Sequence, residues 1–251
     1  NYKSYILCTF YIDTHCYIIY YSYIRTLFLF LYKKGNKLMH TLFSEIGTNK
    51  IITILRGFSL EEILHTASAL QDGGIRFIEV TFDQKGCDQD TCTAIKELRE
   101  HFPDLHIGAG TVITGSQLTA AYHAGAEFII SPNTDIFIIH KTKELGMLSM
   151  PGAMTPSEIV TARDAGADIV KLFPSDNLGL SYLKAISAPL NHIPLSAVGG
   201  VSLDNIQEFF KAGVYCVGIG SNIADRYAIR AGNFEKIQNL ASSYVKKICA
   251  P

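Results

Sequence analysis

From Met39 onward the chain alternates short apolar runs with longer stretches whose apolar residues recur at helical spacing. Ile51 to Leu55 is continuous and β-branched, and Arg56-Gly57 closes it. Ser59 then offers a helix N-cap, with Glu62 three residues on to complete a capping box. Ile63, Leu64, Ala67 and Leu70 share one face of a helix that runs to Asp72, where Gly73-Gly74 stops it. The same unit repeats. Strands are predicted over Phe77 to Phe82, His106 to Thr111, Phe128 to Ser131, Met147 to Met150, the run around Lys171, Pro194 to Val198 and Cys216 to Ile219. Between them lie helices over Asp88 to His101, Thr114 to Ala124, Asp135 to Leu145, Thr155 to Gly166, Leu180 to Ala188 and Leu203 to Ala212, and Phe234 to Ile248 closes the chain. Thr155-Pro156-Ser157-Glu158 is the strongest start among these, joining a cap, a proline at the first helical position and a capping-box glutamate. Eight strand–helix units at a spacing of roughly 20 to 25 residues predict an all-parallel sheet, and eight strands close a barrel. No G-x-G-x-x-G follows the first strand, which argues against an open dinucleotide-binding sheet. The expected fold is an α/β TIM (β/α)8 barrel forming a single domain over residues 39–251.

In such a barrel the chemistry sits at the C-terminal ends of the strands. The stretch Ile169 to Ser175 places Lys171 inside an apolar run. An edge-strand lysine would reach solvent along its stem. A lysine pointing into the barrel would lose its proton more readily and become a nucleophile toward a carbonyl. Glu79 is the one carboxylate set within a strand core, either as a structural ion pair with Lys171 or as the proton-transfer partner that imine chemistry requires. Arg56 ends the first strand as a second rim cation. Val198 to Ser202 and Gly218 to Ser221 follow the seventh and eighth strands. Their glycines, Gly199, Gly200 and Gly220, with Ser221, let backbone N–H groups approach an anion such as a phosphate. Lys85, His101, His106, His123, His140 and His192 show no mutual ligand spacing and read as surface or turn residues, so no metal site is expected.

Composition narrows the partners. Lys and Arg number 22 against 23 Asp and Glu, so there is no basic excess with which to hold nucleic acid. The six cysteines form no C-x-x-C pair, which fits free thiols in a reducing cytoplasm. Residues 1–38 differ from the rest: they hold eight of the 13 tyrosines, one glycine and no Ala, Val or Pro, and the first methionine is Met39. They are expected to be a non-native or disordered extension, with Met39 opening the protein proper. A membrane anchor is the competing reading, since Tyr17 to Tyr32 is apolar and Lys33-Lys34 flanks it. Arg25 interrupts that run and leaves it short of the ~20 residues a spanning helix needs, so no membrane association is expected.

The motif series I-L-R (54–56), I-E-V-T-F (78–82), G-A-G-T-V (108–112), S-P-N (131–133), P-G-A-M-T-P-S-E (151–158), V-K-L-F-P-S (170–175), A-V-G-G-V (197–201) and G-I-G-S (218–221) resembles the 2-keto-3-deoxy-6-phosphogluconate (KDPG) aldolase family, with coverage from about residue 45 to 248. The resemblance implies a class I aldolase that splits a phosphorylated 2-keto-3-deoxy sugar acid into pyruvate and glyceraldehyde 3-phosphate, with no metal or organic cofactor, as a homotrimer. It implies Lys171 as the Schiff-base lysine, Glu79 as the proton-transfer carboxylate, Thr111 at the pyruvate carboxylate, Pro132 and Phe173 as pocket walls, and Gly199, Gly200 and Ser221 at the phosphate. Many members carry an arginine shortly after E-V-T, where this chain has Asp83, and Arg56 is the expected substitute. F-P-S-D-N-L-G with S-A-V-G-G-V also resembles the aldolases of the galactonate epimer, and 4-hydroxy-2-oxoglutarate is a further candidate substrate. A non-catalytic phosphosugar-binding barrel is the alternative of a different class, against which the acid–amine pair argues.

Overall fold

The computed structural model describes residues 40–249, so the expected extension over residues 1–38 lies outside the described residues. The fold is that of the compact unit Leu42–Pro251. A helix over residues 40–49 (α1) comes first. The strands are β1 (Ile51–Leu55), β2 (Phe77–Thr81), β3 (His106–Gly110), β4 (Phe128–Ile130), β5 (Leu148–Met150), β6 (Gly152–Ala153), β7 (Val170–Leu172), β8 (Leu195–Val198) and β9 (Cys216–Ile219). They lie parallel in the order β5-β4-β3-β2-β1-β9-β8-β7-β6. The two ends of that order are consecutive in the chain and flank Pro151. They are one stave of the barrel, broken where proline lacks the N–H that a ladder requires. The ring of eight staves closes through this break, and the Pro151 carbonyl accepts from Lys171 N at 2.8 Å. The fold is a TIM barrel.

Helices α2 (Leu60–Asp72), α3 (Asp88–His101), α4 (Gly115–His123), α5 (Ile136–Glu144), α6 (Pro156–Asp164), α7 (Ser175–Ser187), α8 (Ile206–Lys211), α9 (Arg226–Arg230) and α10 (Phe234–Cys249) connect and follow the strands. Both expected capping boxes form. Ser59 N donates to Glu62 Oε2 at 2.7 Å and Thr155 N to Glu158 Oε2 at 2.7 Å.

Three helices after β7 differ from the periodicity. Helix α7 begins at Ser175 rather than Leu180, because a first turn forms before Gly179 breaks the helix at φ +75°. Helix α8 starts at Ile206 rather than Leu203, since the Asn205 side chain accepts from Ser202 N at 2.8 Å and holds a turn there. Helix α9 was not expected, and Asp225 starts it by accepting from Tyr227 N and Ala228 N. No helix among the described residues is long and apolar enough to cross a membrane.

Packing divides into two shells. Outward-facing Ile51, Leu55, Ile78, Val80, Ile107 and Ala109 join the helices in a continuous core. Inward-facing Ile52, Phe77, Phe128, Ile130, Leu148, Met150, Ile169 and Cys216 fill the barrel, and Leu42 and Ile46 of α1 cap its N-terminal end. Gly108 faces inward because the Phe128 ring occupies its side: a Cβ there would lie 2.1 Å from Cε2.

His106 departs from the surface or turn position expected for it. It starts β3, stacks on Phe77 at 4.7 Å and is held by Glu45 Oε2 of α1 at 2.6 Å and Glu127 Oε2 at 3.2 Å. Burial alone would lower its pKa, but the hydrogen bonds and charges of Glu127 and Glu45 outweigh that and raise it. A raised pKa means that the native state favours the protonated ring, so this stabilisation is complete below the ordinary histidine value of about 6.5 and fades as pH rises through the folded-state value. His106→Gln should therefore lower Tm most in acid, by about 1 kcal/mol of stability since Glu45 faces solvent. Melting curves from pH 5.5 to 9 check this, and a gap between wild type and variant that widens with pH would refute it.

Candidate active site

Lys171 sits in the middle of β7, hydrogen-bonded to β6 on one side and β8 on the other. It is therefore not an edge-strand lysine, and only 5% of it is exposed. Its Nζ lies 4.8 Å from the centre of the Phe173 ring. Burial pulls its pKa down; the charge of Glu79 opposes this and that of Arg56 adds to it.

Glu79 is 1% exposed in the middle of β2, and among the described residues neither of its carboxylate oxygens has a hydrogen-bond partner. The structural ion pair with Lys171 is thus not formed by direct contact. Burial raises the Glu79 pKa, with Lys171 and Arg56 opposing. Space for this side chain comes from β3, where a Cβ on Gly110 would stand 1.8 Å from Glu79 Oε1. The G-A-G run therefore has a steric reason: its first glycine admits Phe128 and its second admits Glu79.

Arg56, at the end of β1, donates from Nη2 to Thr111 Oγ1 at 3.2 Å. Thr111 has φ +58°, a left-handed conformation that a β-branched residue rarely adopts and that costs about 1–3 kcal/mol. The Thr111 carbonyl accepts from Gln84 Nε2 at 3.0 Å, which helps to hold the strained turn. Asp83 lies elsewhere. Its Oδ1 accepts from Lys85 N at 3.0 Å, and the residue lines a separate cavity between α2 and α3.

A cavity of about 350 Å³ opens at the C-terminal face of the barrel. Arg56, Lys171, Phe173, Gly199, Gly200, Gly220 and Ser221 all line it, so the structure brings both glycine loops to the lysine. Thr111 reaches this group through its bond to Arg56, while Pro132 is half-buried and packs its carbonyl against Gly152 outside the cavity wall. Gly199 and Gly200 have φ of +104° and +70°, and their missing side chains make room for Asp176 behind the loop. Gly220 is different. Its φ is not positive, and an added Cβ would meet only Ile54 at 4.0 Å, so its bareness leaves the cavity itself wider. Sequence reasoning missed Asn222 and Arg226, which also line it. Arg226 escaped notice because it belongs to α9 rather than to a strand end.

Comparison with known proteins gives a consistent picture. The family model for KDPG and KHG aldolase matches residues 43–240. The 2-dehydro-3-deoxy-6-phosphogalactonate aldolase of Escherichia coli is 34% identical over 199 residues, covering 78% of this chain and 93% of that protein. The KHG/KDPG aldolase of the same organism is 32% identical over 205 residues, covering 81% and 94%. The crystal structure of a KDPG aldolase from Legionella pneumophila, with pyruvate captured as a covalent carbinolamine, superposes with a TM-score of 0.72 at 32% identity over 78% of this chain and 93% of that one.

The fit of Glu79 against Gly110 yields a test. Gly110→Ala must push the carboxylate aside, and a misplacement of about 1 Å costs on the order of 100-fold in turnover. Turnover should fall by that amount while circular dichroism stays unchanged. A folded variant with full turnover would show that the carboxylate position is unimportant.

Proposed function

The chain belongs to the KDPG and KHG aldolase family, and on that premise we propose that it is a class I aldolase cleaving 2-keto-3-deoxy-6-phosphogluconate to pyruvate and glyceraldehyde 3-phosphate. The observation that carries the reading is the buried, unbridged pair of Lys171 and Glu79 beside a cavity lined by arginine and glycine loops. A phosphosugar binder has no need for such a pair, whose burial works against folding.

Neutral Lys171 adds through Nζ to the C2 ketone, and Glu79 supplies the proton with which the carbinolamine oxygen leaves as water. The resulting iminium is an electron sink. The C4 hydroxyl gives its proton to Glu79, the C3–C4 bond breaks, and its electron pair moves into the iminium to form an enamine as the aldehyde departs. Protonation of C3 restores the iminium, and water then releases pyruvate and the free amine. Burial shifts both groups in the direction this chemistry uses, lowering the lysine pKa and raising that of the glutamate. Arg56 and Thr111 hold the substrate carboxylate, Phe173 shapes the wall, Pro132 supports it from behind through Gly152, and Gly199, Gly200, Gly220 and Ser221 receive the phosphate.

One observation favours a second reading of the substrate. The F-P-S-D-N-L-G and S-A-V-G-G-V stretches resemble the aldolases of the galactonate epimer, which supports cleavage of the epimer at C4. Parallel assays of both phosphorylated epimers and of 4-hydroxy-2-oxoglutarate decide the preference. We place the protein in the cytoplasm.

The loops after β3 and β6 and the start of α5 leave Ile113, Ile136, Phe137 and Met154 exposed, and apolar residues of this kind suit contact with a second copy of the chain. The resemblance to the aldolase family makes a homotrimer the assembly we propose. Light scattering should give three times the mass of one chain, and a monomer at assay concentration would exclude it.

The central test is chemical. Incubation with pyruvate and borohydride should add one reduced pyruvyl group to the wild type, on the peptide that contains Lys171. Lys171→Arg should fold and gain none, because a guanidinium stays protonated and cannot act as the nucleophile. An adduct in the folded variant, or one mapping to Lys85 or Lys184, would overturn the assignment.

A further inference from the structure

We propose that Arg226 is the cation that binds the phosphate of the substrate and so sets the preference of this site for phosphorylated over unphosphorylated sugar acids. The inference rests on the aldolase reading above and adds a specificity residue to it.

Arg226 opens α9 and lines the same cavity as Lys171, Gly199, Gly200, Gly220 and Ser221. Two contacts fix its side chain. Nη2 donates to the Arg56 carbonyl at 3.0 Å, and the guanidinium carbon lies 5.6 Å from the centre of the Phe58 ring. Gly57, with φ +71°, gives this arrangement room, since a Cβ there would come within 3.3 Å of Nη2. A guanidinium carries five donors in a planar fork suited to phosphate, and among the described residues only one hydrogen bond engages it.

No carboxylate among the described residues forms an ion pair with it. Its neighbour Asp225 is taken by the amides of Tyr227 and Ala228 and by Lys236 Nζ at 2.6 Å. The bond to Lys236, with those amides, holds the Asp225 pKa below the usual carboxylate value, so this acid stays ionised on Lys236.

The glycine loops need such a cation. The Asp176 carboxylate packs directly behind Gly199 and Gly200, with Oδ1 3.0 Å from where a Gly199 Cβ would stand. A negative charge there opposes an incoming phosphate and offsets what the loop amides gain. Arg56, the other arginine on the cavity wall, is directed to Thr111. The substrate class has a carboxylate at one end and a phosphate at the other. The two arginines divide these ends, with Arg226 beside Asn222 and Ser221 on the side of β9.

The experiment measures kcat and KM for the phosphorylated sugar acid and for the same acid without phosphate, in wild type, Arg226→Ala and Arg226→Lys. The wild type is first tested by pyruvate–borohydride trapping. The alanine variant should lower the phosphorylated-to-unphosphorylated ratio of kcat/KM by about 10- to 100-fold, through KM, as expected for loss of a charge-assisted bond. The lysine variant should restore part of the ratio, and inorganic phosphate should inhibit the wild type more than the alanine variant. An unchanged ratio, including an equal loss on both substrates as when Arg226 merely supports Arg56, would overturn the proposal while leaving the aldolase reading intact. A wild type that traps no pyruvate would instead sink that reading, and this inference with it.

Discussion

Two ionisable side chains buried in one barrel set the terms for the rest of the structure. Lys171 and Glu79 project into the space enclosed by the strands, and among the described residues nothing gives the Glu79 carboxylate a hydrogen bond. Burying an isolated charge costs several kcal/mol even after the protein relaxes, so each group is driven toward its neutral form. The glutamate pKa is raised, and its contribution to stability falls away as pH climbs above the ordinary carboxylate value. The lysine pKa is lowered, and its contribution falls away as pH drops below the ordinary lysine value. Across the neutral range both groups work against folding. The outer shell of strand and helix side chains must compensate, and it is large, continuous and apolar. In the proposed reaction this cost has a use, since a free amine next to a carboxylic acid is the combination that imine formation requires.

The break at Pro151 belongs to the same arrangement. A proline has no amide hydrogen to give the neighbouring stave, yet its carbonyl still accepts from Lys171 N, so the ladder is interrupted on one side and kept on the side of the lysine. The bend lets Gly152 press against the Pro132 carbonyl, where a Cβ would stand 2.3 Å from the oxygen, and Thr134 Oγ1 donates to the Gly152 carbonyl at 2.7 Å. The S-P-N and P-G motifs are therefore one packed corner. Beyond the lysine, Ser175 Oγ donates to the Leu172 carbonyl at 2.6 Å and accepts from Val198 N at 3.0 Å. The backbone of β7 is held before and after Lys171, and this fixes where the amine emerges.

Much of this was legible in the chain, for identifiable reasons. Strands buried on both faces read as unbroken apolar runs, and helices that start with a capping box announce themselves, so Ile51–Leu55, Ser59 with Glu62, and Thr155 with Glu158 were plain. Lys171 and Glu79 stood out because charge inside such a run demands an explanation. Features set by tertiary packing were not legible. Residues 40–49 carry Leu42, Phe43 and Ile46, a helical spacing too short to separate from the preceding apolar stretch, and what gives them meaning is the open end of the barrel that they cover. His106 passed for a surface residue because its partners, Glu45 and Glu127, are 61 and 21 positions away. Helix α9 has five residues, too few to show a periodicity, and Arg226 was hidden with it.

Position 83 bears on which cation can reach the lysine. Asp83 does not face the cavity of Lys171; its carboxylate closes the turn onto Lys85 N, with Gly86 packed against its side chain. Restoring an arginine there would remove this turn acceptor without guaranteeing that the new charge reaches the lysine. In the proposed reaction the substrate carboxylate therefore depends on Arg56, a long side chain at an exposed strand end that would otherwise sample many rotamers. Two neighbours restrain it. Thr111 is held in a left-handed turn that brings its hydroxyl to the Arg56 guanidinium, and Arg226 grips the Arg56 backbone carbonyl from the opposite side. The strain at Thr111 has its purpose here. A relaxed backbone at that position would turn the hydroxyl elsewhere, and the Arg56 guanidinium would lose its side-chain anchor.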